Sequence, residues 1–399
     1  MVFCALSEVK GIDIKMKKRI FAYTVAIGLL SFTACGNSKQ TNRNIIESAI
    51  PTVTDEIVQA EQDEKTETQN THLNMDIVNN VVVNADIENN AISQCPLYKT
   101  LAKEFSKDKT EEILLENDNI TNEENNEHTG NVILTTENGA QLMLGPGMIN
   151  YTSNNTMWDM YGLIQSTYES EFSSKTKMKD EIDTSACHEI ENNVRKKLEI
   201  IYDVESDESL QLISCISVDI NSLTENQNNN EALEEDIKSG HSNAIKSQNG
   251  DLYYFNYTIE RNRILYLSCN EPQIEKQDDN AITQKTSIQV IVNNGKIDFL
   301  YITGAFAVEK ISDEDIMTAE SGKNFLENKY GTIIVTENYL VDRVWLEYIF
   351  VHNPKSNDLY EGTLEPYWCY QVKATDSEGN FYYKADRMNA INGEDFEYE

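Results

Sequence analysis

The chain has 399 residues, with 33 Lys and Arg against 67 Asp and Glu and a formal net charge of −34. A field of that sign repels phosphate backbones, which are bound by neutralising Lys and Arg, so nucleic acid is excluded as a partner and anionic lipid is disfavoured. Solubility and basic partners both suit such a charge.

The first ordered signal is Met16-Lys17-Lys18-Arg19, a compact positive charge ahead of the apolar run Ile20–Phe32 and the small residues Thr33 and Ala34. That order predicts a secretory signal over residues 1–35. The run has 13 residues, whereas a membrane-spanning helix needs roughly 20. Glu8 and Asp13 put acid where a signal is normally positive, so the true start is expected at Met16. Cys35 follows directly, and the segment resembles the bacterial lipobox, with Phe32 in place of the usual Leu. The resemblance implies lipidation of Cys35 and anchoring to the extracellular face of the cell membrane. Two acyl chains suffice for a stable anchor, at about 0.8 kcal/mol per buried methylene. Removing the five Lys/Arg and two Asp/Glu of residues 1–35 leaves 28 against 65, a net charge of −37 on 364 residues.

Residues 36–70 are dominated by Asn, Gln, Thr, Ser, Glu and Asp without a single aromatic, the composition of a disordered tether. A β-rich region is expected over 71–178. In it, Leu73, Met75 and Ile77 alternate with polar residues, and Val81-Val82-Val83 forms a second strand. Ser106 caps a short helix carrying Ile113 and Leu114, and Asn117–His128 reads as a solvated acidic loop. Val132–Leu134 and Leu142–Leu144 flank Asn138-Gly139, a strong hairpin signal, while Gly145-Pro146-Gly147 reads as a turn.

A second region, 179–304, opens at Ser185 with a helix whose Ile190, Val194, Leu198 and Ile201 share one face. A strand at Leu210–Val218 and a polar insertion at Asn221–Asn249 precede two hairpins. These are Leu252–Ile259 with Arg263–Cys269, and Thr286–Val292 with Lys296–Thr303 across Asn293-Asn294-Gly295. In the third region, 305–399, Ser312 and Asp315 predict a helix start, with Ile316, Ala319, Leu326 and Tyr330 on the helix before Gly331. Strands at Val344–Val351, Leu364–Ala374 and Phe381–Asp386 follow. The fold class expected is α+β: antiparallel sheets with helices packed on one face, in two helix-then-meander repeats after a β-rich start. The absence of βαβ alternation argues against a dinucleotide-binding fold.

The segment Leu364-Glu365-Pro366-Tyr367-Trp368-Cys369-Tyr370, followed by Gly379 and by Asn389-Ala390-Ile391-Asn392-Gly393-Glu394, resembles the end of a PepSY-like or YycH/YycI-like repeat. The likeness covers residues 305–399, and Asn389 stands where those families carry Asp. The whole chain is similar to uncharacterised clostridial lipoproteins. The resemblance implies regulation or inhibition of a membrane-bound sensor or protease.

Motifs for chemistry are absent: there is no Gly-x-Ser-x-Gly, no His-Glu-x-x-His and no phosphate-cradling Gly-x-x-x-x-Gly-Lys. Cys95, Cys187, Cys215, Cys269 and Cys369 show no C-x-x-C spacing, so zinc is unsupported; export permits a disulfide, and buried thiols are expected over bridges with one bridged pair left open. His188 follows Cys187, yet neighbouring helical residues do not face each other, which disfavours a thiol enzyme. Asp118, Ile120 and Asn122 lack calcium-loop spacing, and His352 reads as a turn residue. Of the two readings open to Trp345 and Trp368, lining a ligand groove or filling the core, the core is expected. No catalytic residue, metal site or cofactor is therefore expected. The function expected is a membrane-anchored, non-catalytic binding or regulatory module acting on a membrane or cell-wall protein. The alternative is an extracytoplasmic hydrolase using dispersed carboxylates.

Overall fold

The structure is a computed structural model describing residues 71–168 apart from 79, 117, 127 and 128, then 187–229, 252–266, 286–332 and 337–396, together with 185 and 237. The predicted leader and tether, Cys35 and Cys269 lie outside the described residues.

In chain order the elements are β1 (Thr71–Asp76), β2 (Val81–Ile87), β3 (Gln94–Ala102), α1 (Lys107–Leu114), β4 (Ile120–Asn126), β5 (Asn131–Thr136), β6 (Gln141–Gly145) and β7 (Met148–Thr152). Next come α2 (Met157–Thr167), α3 (His188–Tyr202), β8 (Glu208–Ser217), α4 (Ile220–Asn229), β9 (Leu252–Arg261), β10 (Ile264–Tyr266), β11 (Ser287–Asn293) and β12 (Lys296–Thr303). The last are β13 (Phe306–Asp315), a 3-10 turn at Ala319–Ser321, α5 (Gly322–Gly331), β14 (Asn338–His352), β15 (Gly362–Thr375) and β16 (Phe381–Asn389).

Local chemistry accounts for many of the joints. Ser106 caps α1 by accepting the Lys109 N–H. Asn294 and Gly295 take φ of 50° and 76°, the left-handed pair that a two-residue hairpin turn demands. Gly139, at φ 86°, closes the β5–β6 hairpin, in which Val132 faces Leu144 and Leu134 faces Leu142.

The strands join in one sheet whose main path runs β13-β3-β15-β14-β10-β9-β11-β12-β7-β6-β5-β4. Three long strands have one edge shared by two partners. β15 keeps β14 along one edge, and its other edge takes β3 at 362–364 and β16 at 367–375. β14 takes β2 and β10 in succession on the edge opposite β15, both in parallel, while the other described pairings are antiparallel. β9 lies between β8 on one side and β11 with β10 on the other.

The α+β class is as expected, but the helices flank both faces of the sheet. Along β9, Tyr253, Phe255 and Tyr257 enter the main core, which also holds Val194, Leu198 and Ile201 of α3. Leu252 and Tyr254 point the other way, into a second core with Met160, Leu163 and Ile164 of α2 and Leu223 of α4. The run Leu252–Phe255, apolar at four successive positions, is thus buried on both sides by period-two geometry.

Three local expectations are corrected. The acidic loop placed at Asn117–His128 contains strand β4, paired with β5 from Ile120↔Thr136 to Asn126↔Asn131. Neither face of β4 is buried, so it carries no apolar alternation to read. Ser312 does not start a helix; it lies inside β13, opposite Leu97 just past a bulge at Lys310/Ser312, and the helix starts at Gly322. Nine residue pairs between β13 and β3 outweigh a capping pattern whose local hydrogen bonds contribute only about 1 kcal/mol. The polar insertion expected from Asn221 begins as helix α4, held by Leu223 in the second core. Smaller shifts occur elsewhere: α3 starts at His188 with Cys187 as N-cap rather than at Ser185.

All the described residues fall in one unit spanning 65–399. Strand pairing crosses the expected limits at 178 and 304, since β2 and β3 pair with β14, β15 and β13.

Candidate functional site

The residues singled out from the sequence are scattered, and most serve the fold. His188 Nε2 contacts Asn192 one turn on at 3.0 Å, while Cys187 Sγ lies 3.1 Å from Cys215 Sγ, so the thiol and the imidazole turn to different partners. His352 Nε2 meets the Asp358 carbonyl at 3.1 Å, within its own turn. Asp118 accepts from Asn138 at 2.7 Å. Among the described residues no group of three His, Cys, Asp or Glu is arranged to hold a metal ion.

Trp368 is 1% exposed, and its Nε1 donates to the Met317 carbonyl at 2.8 Å. Leu364, Trp368 and Tyr370 share the main core, the period-two face expected for them. Trp345 is buried on the opposite face of the same sheet and donates to Glu347. Asn389 builds the closing turn. Its Oδ1 accepts the N–H groups of Ile391 and Asn392, and its Nδ2 donates to Glu365 Oε2 at 2.9 Å. An Asp here would keep the first two bonds but set a second carboxylate against Glu365, which gives a physical reason for the amide.

Buried carboxylates are the raw material of a hydrolase, and four of them are matched to cations. Glu208 meets Arg261 at 2.6 Å, and that guanidinium directs its remaining donors at Glu205, at both oxygens of Asp207 and at the Tyr266 hydroxyl. All five N–H groups of Arg261 are thereby used. Glu191 takes Arg195 and the Tyr257 hydroxyl. Glu347 pairs with Arg387, and Asp386 with Lys329 and the Tyr330 hydroxyl. Burial lowers the pKa of Lys329, and Asp386 and Asp395 more than reverse this, leaving it above the usual lysine value. Such pairs fix neighbouring elements: Arg261 ties the β9–β10 hairpin to the start of β8, and Lys329 ties α5 to the C-terminal turn.

Among the described residues, β1, β8 and β16 each pair with a single named strand, and so do the two strands at the ends of the main path. β4 closes one end of the main path, and all seven of its residues are exposed. Its sequence, Ile-Thr-Asn-Glu-Glu-Asn-Asn, has two acids and no base. β13 closes the other end, with Glu309, Asp313, Glu314 and Asp315 against the single base Lys310 and with Ile311 55% exposed. Among the described residues, nothing pairs with the outer edge of either strand. Each carries a bulge, at Ile120/Asn122 and at Lys310/Ser312. Charge and bulges both hinder an edge from pairing with a copy of itself. Neither edge was read as a strand from sequence; the signal for β4 was its place between a capped helix and an Asn-Gly hairpin.

No protein-family model matches the chain, and no curated protein matches it. Among solved structures, the fold is similar to that of an uncharacterized protein from Eubacterium rectale, with a TM-score of 0.51 at 12% sequence identity. The match covers 82% of this chain and 93% of that one and is a likeness of fold.

Proposed function

We propose that the protein is a lipoprotein anchored through Cys35 to the extracellular face of the cell membrane, whose folded unit binds or regulates another cell-surface component rather than turning over a substrate. The observation that carries this reading is the pair of acid-rich strands at the two ends of the sheet's main path, whose outer edges have no partner among the described residues. An open edge offers a row of backbone donors and acceptors to an extended segment of a partner. Its acids favour a basic segment and repel a second copy of the same edge. Commitment of the buried Glu191, Glu208, Glu347 and Asp386 to Arg and Lys speaks against the hydrolase alternative, because a general acid or base must be left available to a substrate. The resemblance of residues 305–399 to PepSY-like modules points the same way.

The test is crosslinking in living cells of the native chain and of a Glu123→Lys/Glu124→Lys variant. A specific membrane or cell-wall protein captured by the native chain and lost from the variant, with the fold unchanged, is the expected result. Turnover of peptidoglycan, peptide or polysaccharide by the purified protein, abolished by changing one carboxylate, would overturn the reading. Cys35→Ser is expected to abolish labelling by a palmitate analogue.

A further inference from the structure

We infer that Cys187 and Cys215 are a disulfide-forming pair that locks helix α3 onto strand β8. They stand 28 residues apart in the chain, and their sulfurs lie 3.1 Å apart. A disulfide needs about 2.0 Å between sulfurs, so closure takes a movement of about 1 Å, within reach of side-chain rotation.

The juxtaposition is built by two features of the fold. Cys187 is the N-cap of α3, the residue at which the chain enters the helix, and it is 3% exposed. Cys215 owes its position to a break in the register of β8 against β9. Leu210 and Leu212 face the main core, where α3 packs. Strict alternation from them would send Cys215 to the opposite face, where Ile216 and Val218 lie in the second core. The pairing shifts between Leu212 and Ser214, with Leu212 opposite Tyr257 and Cys215 opposite Phe255. One extra residue reverses the parity of the strand, so Cys215 joins Leu212 on the α3 side. The contact between helix and strand is held independently by Arg195, whose Nη1 reaches the Leu210 carbonyl at 3.1 Å. Tyr257 completes it, its hydroxyl donating to Glu191 of α3 at 3.2 Å.

Of the two described cysteines outside this pair, Cys95 and Cys369 are both fully buried, and burial pushes the Cys95 thiol up to about 12. Cys215 is the one described thiol with part of its surface open. The reaction is exchange with a disulfide-bearing oxidant. The Cys215 thiolate attacks one oxidant sulfur, breaking that disulfide and expelling the first thiolate. Cys187 then attacks the Cys215 sulfur of the mixed disulfide and expels the second. The protein sulfurs are oxidised, the oxidant is reduced to two thiols, and the two protein protons end on those thiols. This inference depends on the two side chains and not on the proposed partner or anchor.

The test uses the full chain, purified reduced and then equilibrated with oxidised glutathione at mildly alkaline pH. The expected result is a peptide map joining Cys187 to Cys215 and a rise in Tm of about 5 °C on oxidation. Cys187→Ser and Cys215→Ser should each abolish the rise, with Cys187→Ser trapping glutathione on Cys215. A map in which Cys187 and Cys215 both remain thiols, or in which either is joined to another cysteine of the chain, would overturn the inference. That map is made on the unsubstituted chain, so it decides the matter even where a serine variant fails to fold.

Discussion

Trp368 illustrates how one side chain can carry both kinds of cohesion in this protein. Its ring fills the main core, and its one polar atom is spent on the Met317 carbonyl. Truncation to Ala removes the ring and leaves that carbonyl without its donor. Trp368→Ala is therefore expected to lower the unfolding free energy by about 3 to 5 kcal/mol, read from the denaturant midpoint. An unchanged midpoint would place the side chain outside the core. His72 is a surface case governed by charge. Its Nδ1 lies 2.8 Å from Asp86 and its Nε2 2.6 Å from Asn84, and both contacts hold its pKa above 6.5. A raised folded-state pKa adds stability that is fully present below 6.5 and is lost as pH rises through the folded value. Proton NMR should find the His72 titration midpoint above 6.5, with Asp86→Asn moving it back down; equal midpoints in the two chains would show that Asp86 exerts no hold.

At the scale of elements, the docking of α5 on β15 depends on a residue with no side chain. Gly322 opens the helix directly against Tyr370, whose hydroxyl donates to the Ala319 carbonyl at 2.8 Å. A Cβ on Gly322 would overlap the Tyr370 hydroxyl and ring. Because Tyr370 is fully buried between α5 and the sheet, the clash cannot be relieved by swinging the ring into solvent. Helix propensity alone favours Ala over Gly by about 1 kcal/mol, so the two effects oppose each other. Overpacking costs about 1 to 3 kcal/mol, and Gly322→Ala is expected to be destabilising on balance. A thermal melt decides the sign: a higher Tm would mean that propensity wins and that α5 is free to shift.

The whole molecule is stitched by contacts distant in sequence. β14 supplies the edge on which both β2 and β10 pair, and β3 lies between β13 and β15. Removing residues 305–399 would strip partners from three strands of the remaining chain and expose main-core residues such as Val83, Ile87 and Tyr98. Residues 65–304 expressed alone are expected to show no cooperative thermal transition by circular dichroism. A transition near that of the full chain would instead mean that the C-terminal segment is an appended module.

The sequence by itself determined those features whose causes are local. The amphipathic stripe Val194, Leu198 and Ile201 specifies α3, the Ser106 cap specifies the start of α1, and Asn138-Gly139 and Asn294-Gly295 specify hairpins. In each case the residues within one or two turns of chain supply the interaction. The α+β class follows from these same local patterns. Only the tertiary structure decided which strands pair, that helices lie on both faces, and that Ile120–Asn126 and Phe306–Asp315 are strands at all. β4, exposed on both faces, has no burial to impose alternation, and in β13 the core takes only Phe306 and part of Val308, so the conformation of each comes from a neighbour's hydrogen bonds and leaves little mark on its composition. The meeting of Cys187 and Cys215 has the same origin, since a one-residue register shift in β8, set by pairing with β9, chooses the face to which the second sulfur turns.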